Sequence, residues 1–197
     1  MLERLDWRIF EGINQVELGR CYDLFFEGIT WFGSLYLVIP ILLALGLVRR
    51  DAARVRFFKV VTVCLVGTGV VILSLKPLVD RPRPTCVAGL TVCVEEGECE
   101  VVENPPHATQ LRGSSNLCRQ SFPSGHCQTA FAWLLCVALL WRDEKRPWPG
   151  WVMAGCLLLA SLVAASRMVL GVHYPSDVVS GSLLGAAGAW LSVRFVK

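Results

Sequence analysis

Residues 121–141 read SFPSGHCQTAFAWLLCVALLW, a histidine-bearing turn followed by an apolar run that meets no charged side chain until Arg142. A helix needs roughly 17 to 25 apolar residues to cross about 30 Å of hydrocarbon. The run at 123–141 has that length, and so do four others, at 32–48, 57–75, 151–170 and 178–196. With 54% hydrophobic residues in a chain of 197 and a mean hydropathy of +0.52, the sequence is too apolar for an ordinary soluble domain. A soluble α-bundle would have to hide all five runs in one small core. The expected architecture is all-α: one polytopic membrane bundle over residues 1–197, with about five transmembrane helices.

Ahead of the first run, residues 1–17 place Leu2, Leu5, Ile9, Ile13 and Val16 at three- and four-residue steps, with charges on the other side. That pattern is an amphipathic helix lying in the membrane interface rather than crossing it. Residues 1–31 are therefore expected as an interfacial helical segment. Acids and bases scattered from Glu3 to Glu27 leave no uninterrupted apolar core for a secretory signal, so this segment is expected to be retained.

Basic residues near the span ends set the orientation. RRDAARVR at 49–56 and RDEKR at 142–146 both belong in the cytoplasm by the positive-inside rule. Residues 76–122 and 167–177 then fall outside, and the turn before the third span faces the exterior. The exterior loop at 77–122 holds Cys86, Cys93, Cys99 and Cys118, whereas Cys64, Cys136 and Cys156 sit in apolar runs. Loop cysteines in an oxidising compartment pair, so disulfides are expected there, with connectivity open. The donors in this loop match no tight zinc spacing.

The two exterior segments also hold nearly all the groups able to do chemistry. KPLVDRPRP carries Lys76, Arg81 and Arg83, PSGH carries Ser124, Gly125 and His126, and SRMVLGVHYPSD carries Arg167, His173 and Asp177. A single Lys or Arg at a membrane helix end is ordinarily a snorkelling anchor. Three separated segments that return cations, two imidazoles and a carboxylate to one face point instead to phosphoryl transfer. A phosphate dianion needs several fixed donors, and Lys76, Arg83 and Arg167 supply positive charge, the guanidinium forks matching paired oxygens. Ser124 and Gly125 open a helix whose first N–H groups and dipole favour an anion.

The two histidines then divide the work: one attacks phosphorus and the other protonates the departing oxygen. Asp177 lies four residues beyond His173, with Pro175 suited to start a helix between them. Its carboxylate can fix the imidazole tautomer and raise its basicity, which makes His173 the nucleophile. His126, beside the anion site and with no carboxylate in its own motif, is the proton donor.

Lys76 through Arg83-Pro84, PSGH at 123–126, and Ser166-Arg167 followed by His173 and Asp177 resemble the three-part signature of the type 2 phosphatidic acid phosphatase superfamily. The resemblance covers 76–177, about half the chain. It implies a helical membrane phosphatase without a metal or other cofactor, a phosphohistidine on His173, and lipid phosphates as substrates. Lys76, Arg83, Ser124, Gly125 and Arg167 would hold phosphate, His126 would act as acid, and Asp177 would orient His173. Arg81-Pro82 offers a second Arg-Pro pair, and family spacing alone favours Arg83.

The long cysteine-bearing loop and a count of five spans rather than six depart from the commonest pattern. The expected partners are the bilayer and a membrane lipid, with no nucleic acid. The expected location is a bacterial inner membrane, with the site facing the periplasm or exterior. The candidate lipids are undecaprenyl diphosphate, phosphatidic acid, phosphatidylglycerol phosphate and lipid A. A lipid-to-lipid phosphotransferase would use the same groups. A lipid-binding or transport protein could use the basic pocket but has no need of the His173–Asp177 pair, and a vanadate haloperoxidase would need a halide site that the sequence does not signal.

Overall fold

The computed structural model describes residues 2–16, 19–48, 51–88, 91–93, 99–101, 118–142 and 150–196. Its helices are α1 (Leu2–Asn14), α2 (Arg20–Thr30), α3 (Leu35–Val48), α4 (Asp51–Val79), the short α5 (Pro84–Val87), α6 (Gly125–Arg142), α7 (Gly150–Val169) and α8 (Pro175–Phe195). A small antiparallel hairpin of β1 (Thr91–Cys93) and β2 (Cys99–Val101) lies between α5 and α6. The chain is the all-α membrane bundle read from its hydropathy. The five expected runs are α3, α4, α6, α7 and α8.

The N-terminal quarter holds three helices, α1, α2 and α3. α4, α7 and α8 are each long and apolar enough to cross hydrocarbon alone, and α6 is a shorter apolar helix. At 14 residues, α3 rises only about 21 Å, so it gains its apolar length by joining α2 across a 60° bend. Leu24, Phe25, Phe26 and Ile29 make α2 apolar, and it packs against α7. The bend is a tight turn at Trp31–Gly33 pressed onto α6. The Trp133 indole donates to the Phe32 carbonyl at 2.9 Å, and a Cβ on Gly33 would lie 2.6 Å from the His126 carbonyl oxygen.

α6 and α8 form the centre of the bundle. A Cβ on Gly181 would collide with the Ser124 carbonyl, one on Gly185 with the Gln128 carbonyl, and one on Gly188 with the Thr68 methyl. Where lipid removes the hydrophobic drive between helices, such small residues let backbones approach closely enough for dispersion and hydrogen bonds to hold them. Val38, Leu42, Phe57, Val60, Trp133 and Leu140 fill the interior, while Leu73, Leu183 and Phe195 point outward, as lipid-facing positions require. Polar groups between α4 and α6 are satisfied internally: Gln128 Nε2 donates to Thr68 Oγ1 at 2.5 Å, and Thr68 Oγ1 donates to the Cys64 carbonyl at 2.6 Å.

The end of the bundle that carries Arg83, Ser124 and Asp177 is drawn together by backbone pairing. α7 stops where Gly171 adopts φ 82°, a left-handed conformation that glycine takes without steric cost. The chain then reverses into α8, where Pro175 occupies the first turn and the Asp177 carboxylate accepts from the Tyr174 N–H at 3.0 Å. Three long-range bonds tie the segments: Arg83 N–H to the Cys118 carbonyl (2.7 Å), Ser121 N–H to the Arg81 carbonyl (2.9 Å) and Ser124 N–H to the Asp177 carbonyl (3.0 Å).

The expected disulfides are not made at the described loop cysteines. No disulfide is formed at Cys86 or Cys118, and the Cys118 carbonyl accepts the Arg83 N–H instead. Cys93 and Cys99 are opposed in the hairpin register, but their side chains, like the rest of the loop at 94–98 and 102–117, lie outside the described residues.

Candidate active site

All eight residues singled out in the sequence gather at one end of the bundle. Lys76 sits in the last turn of α4, where its Nζ donates to the Gln120 carbonyl at 3.1 Å. Arg83, buried just before α5, sends Nε to the Arg119 carbonyl (3.2 Å) and Nη1 to the Val172 carbonyl (3.3 Å), the residue before His173. Arg167 lies in the last turn of α7, and its Nη1 donates to Thr30 Oγ1 at 2.6 Å. Ser124 and Gly125 stand at the start of α6. Lys76, Arg83 and Arg167 all act electrostatically on His126, and Lys76 also interacts with Asp177.

Two groups at this cluster are buried without a hydrogen-bond partner, Ser124 Oγ and Arg167 Nε. A buried unpaired donor costs about 1–3 kcal/mol, and more when it is charged. Such a cost is recovered when a ligand with acceptor oxygens arrives. Arg167 and His126 line a cavity of about 500 Å³ with Thr30, Ser34 and Tyr36 from the α2–α3 bend. The open Arg167 donor and the His126 imidazole on one wall suit an oxyanion, and Glu27 lies on the same lining.

The second part of the cluster is the His173–Asp177 pair, both buried, next in sequence to Val172, which lines the cavity. His173 Nδ1 lies 3.6 Å from Asp177 Oδ2, a distance too long for a good hydrogen bond. Ser121 closes that gap: its Oγ is 3.3 Å from His173 Nδ1 and donates to Asp177 Oδ2 at 2.5 Å. With Nδ1 turned to this pair, Nε2 is the nitrogen left for chemistry. Burial holds His173 far below the usual imidazole range, at about 3; Asp177 pulls upward, and Arg83 and Arg167 add to the lowering. The ring is therefore neutral near pH 7, the state a nucleophile needs.

Sequence reasoning missed Ser121 and gave Arg81 no role of its own. Ser121 is the first residue of the stretch quoted at the outset, but no spacing rule announces a hydroxyl that bridges two side chains more than fifty residues downstream. Arg81 does not take the place of Arg83. Its Nη1 pairs with Asp177 Oδ1 at 2.7 Å, its Nη2 with Asp6 Oδ2 at 2.8 Å, and its guanidinium carbon lies 4.1 Å over the Tyr174 ring.

A family model described as the PAP2 superfamily matches residues 57–197. The chain belongs to the PAP2 superfamily. The match contains all eight expected site residues and leaves α1, α2 and α3 outside. Among PAP2-related proteins, phosphatidylglycerophosphatase B of Escherichia coli strain K12 is 38% identical over 79 residues, 38% of this chain. The chain thus spans 30% of that relative's length. Decaprenylphosphoryl-5-phosphoribose phosphatase of Mycobacterium tuberculosis is 30% identical over 160 residues, 81% of this chain and 72% of the relative. The crystal structure of Aquifex aeolicus LpxE superposes with a TM-score of 0.68 at 25% identity, over 97% of this chain and 96% of that one. The likeness to a solved fold therefore extends through the N-terminal helices that the PAP2 family model leaves out.

Proposed function

We propose that this protein is an integral-membrane phosphatase that hydrolyses lipid phosphates or diphosphates without a metal, through a phosphohistidine on His173. Lys76, Arg83, Ser124, Gly125 and Arg167 hold the phosphoryl oxygens. His173 Nε2 attacks phosphorus as the bond to the leaving oxygen breaks, and His126, protonated once the bound phosphate anion offsets the surrounding cations, gives that oxygen its proton. Asp177, with Ser121, holds the Nδ1 side of the ring and offsets the positive charge the imidazole gains. Water, its proton taken by His126, then attacks the P–N bond, releasing phosphate and restoring both histidines.

The observation that carries this reading is the cavity lined by His126 and Arg167, where Arg167 Nε is buried without a partner, as is Ser124 Oγ two residues before His126. The phosphatase names of the relatives support it. The cavity lies at helix ends, so a lipid can present its headgroup while its tail stays in hydrocarbon, which avoids about 0.8 kcal/mol per exposed CH₂. The undecaprenyl carrier, phosphatidic acid, phosphatidylglycerol phosphate and lipid A are the substrates to compare. Phosphate release from each in one detergent tests the class; equal kcat/KM for long-chain and short-chain esters would remove the lipid preference while leaving the chemistry intact.

The basic stretches at 49–56 and 142–146 support an extracytoplasmic site in a bacterial inner membrane. A membrane-impermeant thiol reagent should then label a cysteine at Val87 in intact cells and one at Gly150 only after permeabilisation. The reverse pattern would put the site in the cytoplasm.

A further inference from the structure

We infer that Asp6, on α1 and outside the family match, is a positioning residue for the reaction, acting through Arg81 on Asp177. The inference rests on the reading of Asp177 as the carboxylate that orients His173. Asp177 Oδ2 is engaged by Ser121 and the Tyr174 N–H, so the other oxygen, Oδ1, decides how the carboxylate is turned toward the ring. Arg81 Nη1 holds Oδ1 at 2.7 Å. That guanidinium is in turn held from the far side by Asp6 Oδ2 at 2.8 Å.

Asp6 also fixes the first turn of α8, on which Asp177 stands. Its Oδ1 accepts the Ser176 N–H at 2.9 Å, and its Oδ2 accepts the Ser176 hydroxyl at 2.5 Å. The Ser176 hydroxyl is itself 2.7 Å from Arg81 Nη1. Asp6 is thus a carboxylate from a distant helix occupying the N-terminal anion site of α8, where it closes a ring with Arg81 and Ser176. The side chains of Asp6 and Asp177 are 7% and 0% exposed. Removing one of two carboxylates that share this partly buried guanidinium would leave the full cation on the other.

α1 is anchored well enough to hold this arrangement. Phe10 and Trp7 pack on Tyr174 with ring centroids 5.8 and 6.0 Å away, and Asn14 Nδ2 donates to the Val169 carbonyl at 3.1 Å. The aromatic contacts and the Arg81–Tyr174 stack join α1 to the chain segment that carries His173. A shift of 1 Å in a positioning group can lower a rate by on the order of 10².

The test is steady-state turnover of a soluble phenolic phosphate, which has no lipid tail and so does not report on membrane docking by α1. Asp6→Asn should lower kcat about 10- to 100-fold with KM little changed, and Asp6→Glu should recover much of the loss. Introduced into an Asp177→Asn background, Asp6→Asn should cost little more, because its route to the ring is already broken. If Asp6→Asn does not fold, Arg81→Lys, which keeps the charge but not the fork, carries the same comparison. Normal kcat for Asp6→Asn, an equal loss in both backgrounds, or a loss seen only with lipid substrates would each overturn the inference. No phosphate release by the unsubstituted protein would instead bring down the hydrolase reading itself.

Discussion

The helices from α4 to α8 and those from α1 to α3 meet at the same end of the bundle but reach the site by different routes. The first group carries Lys76, Arg83, Ser124, His126, Arg167, His173 and Asp177 within short motifs, each placed by the helix end on which it sits. The second group contributes single side chains from afar: Thr30 takes a hydrogen bond from Arg167, and Asp6 takes an ion pair from Arg81. In the proposed mechanism the chemistry resides in the later helices, and its alignment depends in part on the earlier ones. Substitutions in the two groups should therefore differ in size and in the kinetic constant they change.

The largest effect belongs to the nucleophile. His173→Ala should reduce kcat by on the order of 10³ or more for every substrate, since loss of one member of a catalytic unit removes most of its rate enhancement. Retained turnover of a phenolic phosphate would show that His173 is not the attacking group. His126→Ala should cost on the order of 10² with a lipid phosphate, whose alkoxide needs a proton. With a phenolic ester the loss should nearly vanish, and an equal loss with both substrates would deny His126 the acid role.

On the N-terminal side, Thr30→Val removes one acceptor from the Arg167 guanidinium. A hydrogen bond to a charged group is worth about 1.5–3 kcal/mol, so KM should rise about tenfold or more while kcat changes less. Unchanged KM would mean that the α2–α3 bend lines the cavity without supporting the phosphate site.

The smallest effect is on stability. His173 falls from its ordinary 6.5 to about 3 in the folded protein, chiefly through burial. Between those values the unfolded chain binds a proton that the folded one does not, so stability is lost as pH drops from about 6.5 toward 3. The slope contributed is at most about 1.4 kcal/mol per pH unit. His173→Gln should flatten the fall of Tm with acidification; an unchanged slope would mean the imidazole titrates normally.

Much of this was legible in the sequence because membrane helices and anion sites both leave local marks. Five apolar runs gave α3, α4, α6, α7 and α8, and each motif residue appeared where a run ended. The bend joining α2 to α3 was not legible, because Trp31–Gly33 reads as the edge of a span until Gly33 is seen against the His126 backbone. Asp6 looked like one more charge on the polar side of an amphipathic helix, and only packing of α1 against α7 and α8 turns it inward. Arg81 and Arg83 are two residues apart with the same chemistry, and their opposite engagements follow from Arg81 meeting two carboxylates while Arg83 meets carbonyls. The loop cysteines invited pairing by composition, and no disulfide is formed at Cys86 or Cys118.

The covalent step can be seen directly. Enzyme mixed with a ³²P-labelled phenolic phosphate and quenched in alkali, where a phosphorus–nitrogen bond survives, should carry label on the peptide that contains His173. His173→Ala should carry none, and His126→Ala should still be labelled. Label on Ser124 or on any other residue, or turnover with no labelled protein at any quench time, would contradict phosphoryl transfer through His173.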